Sequence, residues 1–414
     1  MILESKTMYD SKIITMSQKP INFLCISTYF KGEDFLKRCK SDGNHVFLLT
    51  KKGLENENWP WEAIDDVFYV EEWNQENVVK GIAYKFRTIN FEHFVALDDF
   101  DVEKVALLRE HFRMPGMGRT TAHYFRDKLA MRLKAKEEGV NVPEFTSLFN
   151  NDDINNYADT IPAPWLLKPR MEASATGIKK IHSKDELWEV VNNLGDERDN
   201  YLVEKFAPGD VFHVDGLNVN GKVVFSRASK YLDTPFEVAH GGGIFRSASL
   251  EIGSKIEKDL QKVNKQVMKA FGMQSGAYHT EFIQSKATGE LFFLETSSRV
   301  GGANLAEMVE YASGVNLWAE WASVENARIR KQTYKLPKIN NQYAGIVVSL
   351  SRFEYPDTSS FTDKEIVWKM QKAWHIGLIV VSDSSEKVLE LLDQYTHRIG
   401  EEFHASLPAP DKSE

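Results

Sequence analysis

The chain has 414 residues, 42% of them apolar, and a formal net charge of −9, enough to bury a sizeable core in two or three domains. Its acidic and basic residues are interspersed, which excludes a broad electrostatic nucleic-acid footprint, and no apolar run is long enough to span a bilayer. With Cys25 and Cys39 as its sole cysteines it has neither a disulfide framework nor a cysteine zinc site.

Residues 1–20 read as an N-terminal extension in which Lys6, Asp10, Lys12 and Lys19 interrupt a weakly apolar stretch. It lacks the compact apolar segment and cleavage site of a secretory signal, so a reducing cytoplasm is expected. Ile21 to Ser27 is a short apolar run that predicts a buried strand, followed by a helical pattern over Gly32 to Cys39 and a strand at His45 to Thr50. Phe91 to Leu97 is another strand, ending in the acidic turn Asp98-Asp99-Phe100-Asp101. Strands alternating with helices predict a parallel sheet in a small α/β domain over residues 21–114. No G-x-G-x-x-G follows the first strand, so nothing there reads as dinucleotide-binding.

Turn chemistry at Met114-Pro115-Gly116-Met117-Gly118 marks a seam, and Arg126 to Glu138 is a helix that stops at Gly139. From Trp165 the character changes to strands and turns: WLLKP, YLVEKF, HVDGLNVNGKVVF, HTEFIQ and ELFFLET. Two hairpins are expected, one turning at Val219-Asn220-Gly221 and one at Thr288-Gly289. Helices are expected near Asp185 to Asn193 and Ser254 to Phe271. After Arg330 come the strands AGIVVSL and GLIVVS, a final helix and a solvated tail from Leu407 to Glu414.

The chemistry lies in how charged residues fall on successive strands. Lys168 ends an apolar strand and is followed by Glu172-Ala173-Ser174-Ala175-Thr176-Gly177, a small-residue loop whose amides can approach a phosphate. It is not a Walker loop, because no G-x-x-x-x-G-K-[ST] occurs. Glu281 and Glu295 each sit near the end of a strand of one hairpin, so both carboxylates can project from one face, where a hard cation such as Mg²⁺ would relieve their repulsion. Solvated strand acids are the plainer alternative. Arg299 follows in a turn leading to Gly301-Gly302 and a helix at Ala303 to Ala312, a natural carboxylate or phosphate clamp. His240-Gly241-Gly242-Gly243 looks like a lipase oxyanion motif, but no G-x-S-x-G elbow accompanies it; a flexible loop over a substrate pocket is expected at 240–246.

Taken in order, DKLAMRLKAKEEGV, WLLKP, SATG, VEKFAPGD, HTEF and ETSSRVGG resemble the ATP-grasp superfamily of carboxylate–amine and carboxylate–thiol ligases, over roughly Pro115 to Gly314. The resemblance implies an α/β (α+β) ATP-grasp fold with a preceding Rossmann-like domain. Its parts would be the grasp at 115–330, with a small lobe at about 143–206, and a C-terminal subdomain at 331–406 completing the large lobe. It implies ATP and Mg²⁺ (Mn²⁺ as substitute) as cofactors. Lys128 and Lys168 would be phosphate lysines, and Ser174, Ala175, Thr176 and Gly177 the lid over the β- and γ-phosphates. Glu204, Lys205, Phe206 and Ala207 would form the adenine-reading segment, Asp210 the ribose acid and Lys230 a γ-phosphate lysine. Glu281 and Glu295 would be the metal ligands, with Ser297 standing where many members carry Asn; a hydroxyl is the weaker ligand, which bears on a second metal ion. Arg299 would steady the acyl phosphate or carboxylate, with Gly301, Gly302 and His240 at the substrate.

The resemblance therefore implies an ADP-forming ligase joining a small-molecule carboxylate to an amine, with no nucleic-acid or membrane partner, and family analogy suggests a homodimer. Biotin-carboxylase-like activation of bicarbonate and a non-catalytic nucleotide-binding scaffold are the alternatives. Neither the acid nor the amine is legible.

Overall fold

The computed structural model describes residues 19–173 and 175–406, with side chains for all of these but Ala239 and His240. Most of the N-terminal extension, the tail 407–414 and Ser174 of the expected lid therefore lie outside the described residues.

The first elements are β1 (Asn22–Ser27), α1 (Glu33–Ser41), β2 (His45–Lys51), β3 (Asp66–Val70), α2 (Gln75–Lys85), β4 (His93–Ala96) and α3 (Val102–Phe112). The four strands form a parallel sheet in the order β3-β2-β1-β4. β1 is buried on both faces, which is why it reads as an unbroken apolar run rather than an alternating one. β3 lies at the sheet's edge and is half exposed, so its pattern is weak and the sequence reading passed over it.

After α4 (Arg119–His123) comes α5 (Lys128–Glu137). The Asp127 side chain caps α5 by accepting from the Leu129 and Ala130 amides, and Gly139 ends it at φ +71°. A second sheet follows, from β5 (Phe145–Ser147), α6 (Asn151–Thr160), β6 (Trp165–Pro169), β7 (Lys179–Ile181), α7 (Lys184–Leu194) and β8 (Tyr201–Lys205). It is antiparallel in the order β5-β8-β6-β7, with Trp165, Leu167 and Val203 packed against Ile154, Leu187 and Val191 of the two helices.

The remaining elements are β9 (Gly209–Val219), β10 (Lys222–Tyr231), α8 (Pro235–Gly241), β11 (Phe245–Ser249), α9 (Lys255–Ala270), β12 (Gly276–Ser285), β13 (Leu291–Ser297), α10 (Leu305–Ser313), α11 (Leu317–Ile329), β14 (Tyr343–Leu350), β15 (Ile366–Lys369), β16 (His375–Ser382) and α12 (Ser385–Glu402). All eight strands join one antiparallel sheet, ordered β13-β12-β9-β10-β11-β14-β16-β15. Residues beyond Arg330 thus extend the sheet that carries the Glu281–Glu295 hairpin. Asn220 and Gly221 both take positive φ at the β9–β10 turn, as a tight hairpin between twisted strands requires.

One expectation is corrected here. Residues 240–246 are not a flexible loop: His240 lies in α8, and Phe245 and Arg246 begin β11. The helix forms because Thr234 and Glu237 make a reciprocal capping box with Pro235 in the first turn.

The first domain and the large sheet share a core. Phe23, Cys25 and Phe35 pack in one cluster with Leu217, Ala277 and Trp321, and the Phe35 and Trp321 rings meet at 5.0 Å. Beside them the buried Glu325 of α11 takes His93 at 3.0 Å and Arg328 at 2.9 Å. No helix among the described residues is long and apolar enough to cross a membrane. Within the large sheet, a Cβ at Gly216 would lie 2.4 Å from both the Phe225 carbonyl oxygen and the Tyr278 hydroxyl. Gly216→Ala is expected to cost about 1–3 kcal/mol of stability through overpacking, read from the midpoint of a denaturant titration.

Candidate active site

A cleft of about 640 Å³ opens between the second sheet and the large sheet. Strand register sets its floor. Glu281 pairs directly with Glu295, and His279 with Ser297, across β12 and β13. Because side chains alternate along a strand, these four share the face that lines the cleft, while Thr280 and Thr296 hydrogen-bond to each other at 2.8 Å on the opposite face. Two carboxylates and a hydroxyl on one wall are hard oxygen donors suited to Mg²⁺. Each carboxylate has a defined partner: Glu281 Oε1 accepts from the Tyr231 hydroxyl at 2.8 Å, and Glu295 Oε2 meets Lys128 Nζ at 2.9 Å.

Helix α5 supplies the opposing charge. Lys128 and Arg132, one turn apart, reach different sheets: Lys128 meets Glu295, and Arg132 Nε meets Glu204 on β8 at 2.8 Å. Arg132 also donates to the Leu294 carbonyl. Lys168 on β6 meets the other oxygen of Glu204 at 2.5 Å. Burial pushes the Glu204 carboxyl up, but Arg132 and Lys168 outweigh it and hold the group down at about 2. Burial likewise opposes ionisation of Glu295, and Lys128, helped by Lys168 and Arg132, brings it to about 2. Both acids are therefore anionic at neutral pH.

Lys128 also donates to the Glu172 carbonyl at 2.5 Å, and Arg170 pairs with Asp127, so the start of the small-residue loop is tied to α5. Ala175 and Thr176 line the cleft, whereas Gly177, at φ +69°, shapes the loop from outside its lining. Lys205, Phe206, Ala207 and Asp210 line the cleft as a continuous edge. Lys230 pairs at 2.8 Å with Asp210, which lines the cleft, while Lys230 itself is not among the lining residues. Gly302 lines the cleft, but Gly301 is buried beneath it, where an added Cβ would fall 2.6 Å from Asp215 Oδ1. The His240 side chain lies outside the described set.

Arg299 lines the cleft and donates to the Val300 carbonyl at 2.8 Å. Its Nε stands 3.9 Å from Asp99 Oδ1, and neither of these buried atoms has a hydrogen-bond partner among the described residues. Asp99 Oδ2 meets Arg126 at 3.3 Å, so the first domain contributes to the cleft through its acidic turn. The acidic turn was visible in the sequence. Its arrival beside Arg299 was not, since some 200 residues separate them.

Residues 161–307 match the ATP-grasp domain family, a span that holds Lys168, Glu204, Glu281, Glu295 and Arg299. This segment is similar to ATP-grasp domains. The chain is 28% identical over 261 residues to the L-arginine-specific L-amino acid ligase of Bacillus subtilis, covering 61% of this chain and 62% of that one. It is 23% identical over 177 residues to a D-alanine–D-alanine ligase of Neisseria gonorrhoeae, covering 42% of this chain and 58% of that one. The matched segment thus spans about three fifths of each relative. The L-amino acid ligase structure from Bacillus licheniformis superposes with a TM-score of 0.75 at 17% identity, covering 95% of this chain and 100% of that one. This likeness shows a shared fold that takes in the first domain and the C-terminal strands.

The sequence reading missed Arg132, Tyr231 and the buried residues His213 and Asp215, although Arg132 falls one helical turn from Lys128 and was open to that signal. Arg132 is 1% exposed, so it cannot lose its partner cheaply. Glu204→Gln is expected to destabilise the fold by about 3–5 kcal/mol, the cost of leaving a buried charge unpaired, measured by chemical denaturation at pH 7. Because the folded carboxyl sits below its ordinary value of 4.5, its contribution is complete above that value and fades as pH falls toward about 2. The gap between wild type and variant should therefore close over that window.

Proposed function

We propose that this protein is an ATP-grasp enzyme, an ATP-dependent carboxylate–amine ligase that forms an amide or peptide bond through an acyl phosphate and releases ADP and phosphate. The observation that carries the reading is the cross-strand pair Glu281 and Glu295 on one cleft wall, with Lys128 and Lys168 on the facing side. In this reading Glu281, Glu295 and Ser297 hold Mg²⁺, with Mn²⁺ as substitute; bound there, the cation would neutralise phosphate charge. Lys128 and Lys168 draw the phosphate oxygens, and the Ala175–Thr176 loop covers them. Lys205 to Ala207 follow the adenine, and Asp210 the ribose.

The substrate end is read from Arg299 and Asp99. A buried donor and a buried acceptor that make no hydrogen bond among the described residues both gain from a ligand that carries the complementary groups. An α-amino acid does so, its carboxylate facing Arg299 and its ammonium facing Asp99. Past Glu281 the cleft continues along Tyr231, Phe245 and Val348, and α8 adds Phe236 and Val238. This apolar wall favours an uncharged aliphatic or aromatic side chain over the arginine named for the Bacillus subtilis relative. The buried free thiols Cys25 and Cys39 are in keeping with a reducing cytoplasm.

The test is ADP release from MgATP, screened against pooled amino acids, small carboxylic acids and bicarbonate. Release is expected to need one acid and one amine, with apolar amino acids ahead of arginine. Glu295→Gln should lower it by on the order of 10²-fold, the scale seen when one group stabilising the transition state is removed. Stimulation by bicarbonate alone would replace the ligase with a carboxylase. Tight ATP binding with no stimulation by any pair would leave a nucleotide-binding scaffold.

A further inference from the structure

Beside the cleft, a chain of polar groups runs across one face of the large sheet. Ser247 Oγ lies 2.7 Å from His213 Nε2, and His213 Nδ1 lies 2.6 Å from Asp215 Oδ2. The other Asp215 oxygen lies 2.8 Å from His279 Nδ1. His279 Nε2 then faces the cleft, 3.4 Å from Glu281 Oε1 and 3.5 Å from the Tyr231 hydroxyl. Ser247, His213 and Asp215 are fully buried. The register explains the chain: His213 pairs with Glu281, and Asp215 with His279, across β9 and β12, so all four share one face.

A buried carboxylate between two imidazoles invites a metal-site reading, which the geometry opposes. Each Nδ1 stands at hydrogen-bond distance from its own Asp215 oxygen, the arrangement that orients an imidazole rather than the one that metallates it. Gly301 closes the space: a Cβ there would lie 2.6 Å from Asp215 Oδ1 and 3.0 Å from His279 Nδ1. What the chain does reach is Glu281 Oε1, where the Tyr231 hydroxyl and His279 Nε2 converge.

We propose that Asp215, through His279 and together with Tyr231, is a positioning residue that occupies Glu281 Oε1 and leaves Oε2 alone to meet a divalent cation. The assignment rests on the reading of Glu281 and Glu295 as the cation ligands. A carboxylate held to one free oxygen suits a small octahedral ion such as Mg²⁺ or Mn²⁺, whereas Ca²⁺ also takes carboxylates through both oxygens at longer distance. The chain therefore sets which cation the cleft prefers, not merely whether it folds.

The test uses the full chain with a non-hydrolysable ATP analogue, following Mn²⁺ by electron paramagnetic resonance and Ca²⁺ by competition. Asp215→Asn is expected to weaken Mn²⁺ by about 10–100-fold, the usual effect of removing an outer partner of a metal ligand. Ca²⁺ should weaken less, so the Mn²⁺-to-Ca²⁺ preference falls, a change that a purely structural role would not produce. Tyr231→Phe, which deletes one oxygen and keeps the ring, should shift the preference in the same direction by a smaller factor and covers the case in which Asp215→Asn does not fold. Folded variants with wild-type Mn²⁺ affinity and preference would overturn the positioning assignment while leaving the ligase reading standing. A wild-type protein that binds no Mn²⁺ in this assay would overturn both.

Discussion

The cleft depends on one helix face meeting two sheets. Lys128 and Arg132 stand one turn apart on α5, and each is matched to a carboxylate on a different sheet, Glu295 on β13 and Glu204 on β8. An ionised carboxylate out of water is costly unless a cation and hydrogen bonds replace its hydration. The two sheets are therefore held at the separation that lets α5 satisfy both acids, and the space left between them is the cleft. Lys168 completes the arrangement from β6, since its pairing with Glu204 aims it along the same wall.

Strand register supplies the second constraint. With Glu281 opposite Glu295, a slip of one residue on either strand would send one carboxylate to the face where Thr280 and Thr296 pair. The same pleat carries Asp215 and His213 onto the cleft side of β9, so the polar chain beside Glu281 and the acids of the cleft wall follow from one alternation. Gly301 is part of this geometry. Its lack of a side chain lets the turn after β13 lie against Asp215 and His279 while Gly302 and Arg299 reach the cleft.

The first domain is tied in by a shared apolar core around Phe35 and Trp321 and by the buried Glu325, whose charge Arg328 balances and which the His93 ring meets at 3.0 Å. This docking brings Asp99 to Arg299. It joins a charged end of the cleft, where Arg299 Nε and Asp99 Oδ1 make no hydrogen bond among the described residues, to an apolar wall at Phe245 and Val348. The reacting groups and the groups that choose a substrate thus come from different parts of the chain, and the docking of those parts sets the distance between them.

The sequence by itself determined the elements whose signals are local. Ile21 to Ser27 and Trp165 to Pro169 are apolar runs bounded by turns, the Asn220-Gly221 pair demands a tight hairpin, and HTEF and FLET place two acids on one hairpin. Those signals were enough for the parallel first sheet and for Glu281 and Glu295 on one face, whereas the ATP-grasp fold and the grouping of these acids with Lys128, Lys168 and Arg299 came from the resemblance carried by the ordered motifs. Helix α8 was also written locally, in the Thr234–Glu237 capping box, but the glycines after His240 drew the reading toward a loop. Only the tertiary structure decided that Lys230 turns to Asp210, that Gly301 is buried and that Asp99 faces Arg299. It likewise decided that Asp215 bridges two histidines. The physical reason is common to all four: each depends on which strands or domains lie side by side and in what register, which no signal along the chain fixes by itself.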